Sequence, residues 1–176
     1  MSDTKGFTIW FTGLPSSGKS TLARAVETEI VNRGRHVAVF DGDEIRQRLS
    51  KGLGFSKEDR DENIRRISFV ANLVTKCGCV AITCAISPYR DIRQEARDEI
   101  GSFVEVFVKC PVEVCIDRDV KGLYKKALSG EIPNFTGISD PYEEPEAAEV
   151  VVETHNQTLE ESVNTIIESL ERTGYL

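Results

Sequence analysis

The octapeptide Gly13-Leu14-Pro15-Ser16-Ser17-Gly18-Lys19-Ser20 constrains this chain more than any other feature. It matches the G-x-x-x-x-G-K-S phosphate-binding loop in full, and that pattern carries meaning only between a strand and a helix. Both flanks are present. Phe7 to Thr12 is an apolar β-type run, and Leu22, Val26 and Ile30 repeat at helical spacing until Gly34. In such a loop the glycines let backbone N–H groups turn inward around a β-phosphate, and the helix N-terminus adds its positive end. Lys19 supplies a point charge to the β- and γ-phosphates, and the Ser20 hydroxyl suits Mg²⁺. The expected triphosphate-binding set is Gly13, Ser16, Ser17, Gly18, Lys19, Ser20 and Thr21.

Four further apolar runs follow, His36 to Phe40, Cys79 to Ile86, Phe103 to Val108 and Val150 to Val152, separated by helical patterns. Near-continuous hydrophobicity suits strands buried on both faces, so the expected fold is α/β. It has three layers, α/β/α, around a mainly five-stranded parallel sheet. Ser56 with Asp59, and Thr158 with Glu161, read as helix-opening capping boxes. Pro88 and Pro111 read as prolines tolerated in first helical turns. The 176 residues fit one domain. From 120 to 145 the chain is polar, rich in Gly, Pro, Lys and Glu, and lacks a sustained period; it reads as a mobile lid.

Charge and cysteine usage exclude several classes. With 22 basic against 29 acidic residues the net charge is −7, which opposes a polyanion-binding surface. Any cationic site must be local and built for a small anion. Of the five cysteines, Cys79, Cys84 and Cys110 read as small core residues. His36 and His155 lie near no cysteine pair, so a zinc site is not expected. No apolar N-terminal stretch resembles a signal peptide and no run approaches a membrane span, which makes the cytoplasm the expected address.

The loop alone names no reaction. No guanine-reading motif of the NKxD type occurs, and the domain is small for a motor or transporter ATPase; a small kinase remains. Asp41-Gly42-Asp43 closes the second strand, where ligands gather in open α/β sheets. Asp41 or Asp43 would hold Mg²⁺ through water or accept the proton of an attacking hydroxyl, while one of them caps a helix. Arg60 and Asn63 share a helical face, an arrangement suited to a phosphate or sulfate beside a polar base edge. Spacing by itself favours a solvated charged face for Arg60, Arg65 and Arg66 and a core position for Phe55.

Several longer segments carry a resemblance: Leu53-Gly54-Phe55-Ser56-Lys57-Glu58-Asp59-Arg60, Ile86-Ser87-Pro88-Tyr89-Arg90, the stretch from Arg118 to Lys126, and Phe135-Thr136-Gly137-Ile138. Together with the loop and Asp41-Gly42-Asp43, they make the chain similar to adenylyl-sulfate kinases, from about Gly6 to the C-terminus. The resemblance implies transfer of a phosphoryl group from Mg·ATP to the 3′-hydroxyl of adenylyl sulfate. It implies an acceptor pocket of Asp43, Arg46, Phe55, Arg60, Asn63, Ile86, Ser87, Lys121, Leu123 and Phe135. Phe55 and Phe135 would flank the acceptor adenine, and Arg118 would pack on the ATP adenine. Lys19 and Asp41 would be the catalytic groups. The family's serine, here Ser87, has been considered as a phosphorylated intermediate, but it precedes Pro88 at a strand-to-helix turn, where a helix-capping hydroxyl is expected, and in-line transfer needs only positioning and charge neutralisation. The resemblance further implies a homodimer, and leaves open whether the domain works alone or in association with ATP sulfurylase. Glu44, Ile92 and Pro133-Asn134 depart from the family pattern, the last removing a lid cation. Rival readings are a kinase of a nucleoside monophosphate or small metabolite, and a nucleotide-binding switch without turnover.

Overall fold

The computed structural model describes residues 5–176. Its centre is β1 (Phe7–Thr12), every residue of which is buried. Residues alternate across a strand, so Phe7, Ile9 and Phe11 enter one core while Trp10 enters another. The sheet has five strands in the order β2-β3-β1-β4-β5, all parallel, with β2 at Val37–Asp41, β3 at Val80–Cys84, β4 at Phe103–Lys109 and β5 at Val150–Glu153. Strand bounds differ from the sequence reading by one or two residues at most ends.

Helices cover both faces. On one side α1 (Lys19–Asn32) and α7 (Leu159–Arg172) bury Leu22, Val26, Ile30, Val163, Ile166 and Leu170 against Phe7, Ile9 and Phe11. On the other, α3 (Lys57–Lys76) and α4 (Arg90–Ile100) bury Ile64, Ile67, Ala71, Ile92 and Ala96 against Trp10 and Ala81. That gives the three expected layers. The short α2 (Gly42–Arg48) follows β2, and α5 (Val112–Arg118) follows β4.

Local signals hold unevenly. Thr158 and Glu161 form a complete reciprocal box at α7. At α3 only half is present: Ser56 Oγ accepts from the Asp59 N–H, but the Asp59 carboxylate accepts from the Gly54 N–H instead. The carboxylate thereby closes the loop before the helix rather than its first turn. Pro88 lies outside α4, whose N-cap is Tyr89. Pro111 is the N-cap of α5. The polar stretch contains a helix that its composition hides, α6 (Leu123–Leu128), which buries Tyr124 and Ala127. Asp119 opens it by accepting from the N–H groups of Tyr124 and Lys125.

Under α6 lies a third cluster of Cys110, Cys115, Tyr124, Ala127 and Phe135. Cys79 is not the core residue that its apolar flank suggests. Cys115 is fully buried, whereas Cys79 is only half-buried, because it precedes β3 and lies outside the sheet interior. Among the described residues no helix is long and apolar enough to cross a membrane.

Candidate active site

A cleft of about 750 Å³ runs along the carboxyl ends of β1, β2 and β3. One end is the phosphate-binding loop. Gly13 has φ 154°, and a Cβ there would stand 2.5 Å from the Val108 carbonyl oxygen, so the loop and β4 can approach only through glycine. Gly18, at φ 102°, is the N-cap of α1 and offers no side-chain acceptor. No acidic residue occupies the first turn. The positive end of a fourteen-residue helix therefore faces the cleft without an internal counter-charge.

Ser16, Gly18, Lys19, Ser20 and Thr21 line this end, whereas Gly13 and Ser17 lie beneath it. The Lys19 ammonium is folded onto its own loop, donating to the carbonyls of Gly13 at 2.9 Å and Leu14 at 2.6 Å. Its removal from water pushes its pKa down from 10.5 to about 8; Asp41 opposes that shift and Lys121 adds to it. Ser20 Oγ donates to Asp41 Oδ2 at 2.7 Å. Asp41 is also the N-cap of α2, accepting from the Asp43 N–H at 3.0 Å. One carboxylate thus closes a helix and reaches the hydroxyl of the phosphate loop. Asp43 pairs instead with Lys121, across the cleft mouth.

At the other end the cleft is lined by Asp43, Arg46, Phe55, Arg60, Asn63, Ile86, Ser87, Lys121, Leu123 and Phe135. The solvated face expected for Arg60 is not observed. Arg60 is buried, donating from Nε to the Phe55 carbonyl, from Nη1 to Thr136 Oγ1 and from Nη2 to the Asn134 carbonyl. The segment from Asn134 to Thr136 folds over α3 and encloses it. Nor is Phe55 in the core: it is 56% exposed, with the guanidiniums of Arg46 and Arg60 at 4.6 and 5.7 Å from its ring centroid. Such a ring is anchored by two cations and keeps area free to stack. Phe135 is buried edge-on against Tyr124. Arg65 and Arg66 do form the solvated pairs that spacing suggests, with Glu95 and Glu62. Asn63 is buried, and its Oδ1 has no hydrogen-bond partner. A buried acceptor without a donor is costly, and a donor on a bound molecule would remove that cost.

Ser87 is not a helix cap. It is buried, with φ 42°, a strained region for a residue with a side chain. Its hydroxyl accepts from Trp10 Nε1 at 3.0 Å and donates to the Ala85 carbonyl at 3.2 Å. The carbonyls of the turn are also held from behind: Thr12 Oγ1 donates to Ile86 and Arg93 Nη1 to Ser87. Arg93 is itself buried and paired with Glu105 at 2.9 Å.

Arg118 extends back onto the phosphate loop. It meets there a wall the sequence reading missed, the turn after β5, from which Thr154 and Gln157 line the cleft. No motif marks these residues. Their position after a strand's carboxyl end was the one available signal. Burial pushes the nearby thiol of Cys84 up to about 12, and that of Cys115 likewise up to about 12, so neither is a thiolate nucleophile at neutral pH.

Comparison with known proteins agrees with this geometry. Residues 5–153 match the family model described as adenylylsulphate kinase. An adenylyl-sulfate kinase of Halothermothrix orenii is 55% identical over 176 residues, all of this chain and 95% of that protein. A probable bifunctional SAT/APS kinase 2 of Sorangium cellulosum is 60% identical over 171 residues, 97% of this chain but only 29% of that protein. Among solved structures, the APS kinase CysC of Mycobacterium tuberculosis in complex with AMPPNP and APS superposes with a TM-score of 0.90 at 42% identity. That match covers 95% of this chain and 98% of that one. With the phosphate loop, the enclosed arginine and a matching model over most of its length, this chain belongs to the adenylylsulphate kinase family.

Proposed function

We propose that the chain transfers the γ-phosphoryl group of ATP to the 3′-hydroxyl of adenylyl sulfate, giving 3′-phosphoadenylyl sulfate and ADP. One observation carries this reading. A single cleft holds a triphosphate cradle at one end and, at the other, two arginines, an exposed phenylalanine and an unpartnered buried asparagine oxygen. A sulfated nucleotide presents the matching groups: paired anions for Arg46 and Arg60, and a base for Phe55 and Phe135 to flank. Its exocyclic amino group and ribose hydroxyls are donors of the kind that Asn63 Oδ1 lacks.

In this assignment the loop from Gly13 to Thr21 binds the triphosphate, and Lys19 leaves its carbonyl partners to neutralise the β/γ region. Arg118 packs on the ATP base. The 3′-hydroxyl attacks in line, and Asp41 accepts its proton or orients it. Ser87 contributes position rather than a covalent intermediate, because its hydroxyl is already engaged on both sides. Its place at the cleft makes the Ile86–Ser87 turn a wall for the acceptor. Residues 120–145 form the lid of this single domain, and Lys121 closes over both substrates, excluding water that would divert the phosphoryl group.

The donor set suits Mg²⁺. Ser20 Oγ and Asp41 are hard oxygen donors in contact, and a magnesium ion is commonly held by one or two such groups together with substrate phosphates and water. When bound, the ion would supply charge neutralisation at the β- and γ-oxygens. Homodimer formation and association with ATP sulfurylase are drawn from the family resemblance, and the cytoplasmic address from the sequence alone.

The test is ADP release measured separately with adenylyl sulfate, AMP and shikimate as acceptors. Turnover with adenylyl sulfate and formation of the 3′-phosphorylated product are expected. Stimulation by AMP alone would overturn the acceptor assignment, and tight ATP binding without turnover on any acceptor would favour a switch.

A further inference from the structure

Thr154 is the first residue after β5, and the roles assigned above make no use of it. Its hydroxyl donates to the Ser17 carbonyl of the phosphate loop at 2.7 Å. The same oxygen accepts from Arg118 Nη1 at 3.2 Å, and the Thr154 carbonyl accepts from Arg118 Nη2 at 2.8 Å. The closest loop carbonyl is a longer partner of Arg118, Ser17 at 3.4 Å. Thr154 therefore holds the guanidinium by two atoms and the loop by one. Its side chain also packs on Gly18, from which an added Cβ would lie 3.6 Å from Thr154 Cγ2.

The chemistry of these partners matters. All the acceptors around Arg118 are carbonyl or hydroxyl oxygens, and no carboxylate lies within 4.0 Å of it among the described residues. The guanidinium is fixed in direction and keeps its charge free for a ligand. A planar cation held by its edge presents its face, as stacking on a base requires. The turn is itself braced, since Gln157 Oε1 accepts from the Glu153 N–H at 2.7 Å.

We propose that Thr154 is a positioning residue for the nucleotide half of the cleft, holding the Arg118 guanidinium and the Ser17 carbonyl in register so that base and phosphates are bound together. This rests on assigning the phosphate-loop end to ATP. The hydrogen-bond partners of Thr154 are Arg118 and Ser17, whereas Arg60 and Ser87 are held by Thr136, Asn134, Trp10 and Arg93, so its influence falls on one substrate.

The test compares Thr154→Val, which keeps the shape and removes the hydroxyl, with Thr154→Ser, which keeps the hydroxyl. Loss of two hydrogen bonds, one from a charged donor, is expected to raise the KM for ATP about five- to thirtyfold. The KM for adenylyl sulfate and kcat should each stay within about twofold, and Thr154→Ser should recover most of the loss. Affinity for a non-hydrolysable ATP analogue, measured by calorimetry without acceptor, should fall by the same factor. In an Arg118→Met background, Thr154→Val should cost less than in the parent, because the partner it positions is gone. A parallel rise of both KM values, an unchanged ATP KM, a serine variant as impaired as valine, or additivity with Arg118→Met would each overturn the proposal. Where Thr154→Val does not fold, Thr154→Ala and Thr154→Ser with the same calorimetry decide it. Failure of the parent protein to bind the ATP analogue would instead sink the underlying assignment of the cleft.

Discussion

Raising the pH should weaken nucleotide binding through one side chain, Lys19. In the free protein its ammonium is confined against the Gly13 and Leu14 carbonyls, and loss of water holds its pKa at about 8. Triphosphate oxygens would supply the counter-charge it lacks, returning the pKa to at least its ordinary 10.5. The sign follows from linkage: the bound state holds the proton more tightly, so affinity falls as pH rises between the two values. From about pH 7.5, where ATP is fully ionised, to about pH 9.5, the protonated fraction of free Lys19 drops from about three quarters to about 3%. The apparent Kd should then rise about twentyfold, equivalent to about 1.8 kcal/mol. Calorimetric titration of a non-hydrolysable ATP analogue in buffers of different ionisation enthalpy reads both quantities. Proton uptake should approach about one per nucleotide near pH 9. Lys19→Ala should bind weakly and show neither the slope nor the uptake. A flat Kd across that range, or an unchanged slope in Lys19→Ala, would refute the reasoning.

Trp10→Phe removes the indole donor to Ser87 while keeping an aromatic ring against Phe103; the KM for adenylyl sulfate should rise about threefold to tenfold, with the ATP KM unchanged in steady-state kinetics. Arg60→Met strips the three donors that hold Phe55, Asn134 and Thr136. Thermal denaturation should show a loss of about 2–4 kcal/mol, and acceptor-dependent ADP release should become undetectable. Gly13→Ala drives a Cβ against the Val108 carbonyl, so analogue binding should be lost at calorimetric concentrations while Gly34→Ala, with open space around it, retains binding. Leu170→Ala, in the core between α7 and the sheet, should cost about 2–5 kcal/mol in chemical denaturation and leave both KM values intact.

Much of the framework was legible in the chain itself because its causes are local. The phosphate loop, the alternation of strands and helices, the inner faces of α1 and α7 and the Thr158–Glu161 box all depend on spacings of a few residues, which sequence displays directly. The family resemblance extended that reading to the acceptor pocket, and the residues it implied do line one cleft.

What only the tertiary structure decided are the contacts between residues far apart in sequence. Arg60 looks like part of a solvated face until Thr136, 76 residues on, closes over it. Ser87 looks like a helix cap until Trp10, 77 residues earlier, takes its hydroxyl and the backbone turns left-handed. Thr154 carries no motif, only its place after a strand end, because its partner Ser17 lies 137 residues away. Cys79 falls outside the core and Cys115 inside it for the same reason: burial depends on what packs across the fold, whereas neighbours in sequence report only a residue's own element. Periodicity therefore determined the scaffold and the phosphate cradle, and long-range packing decided which polar side chains are held rigid around the substrates.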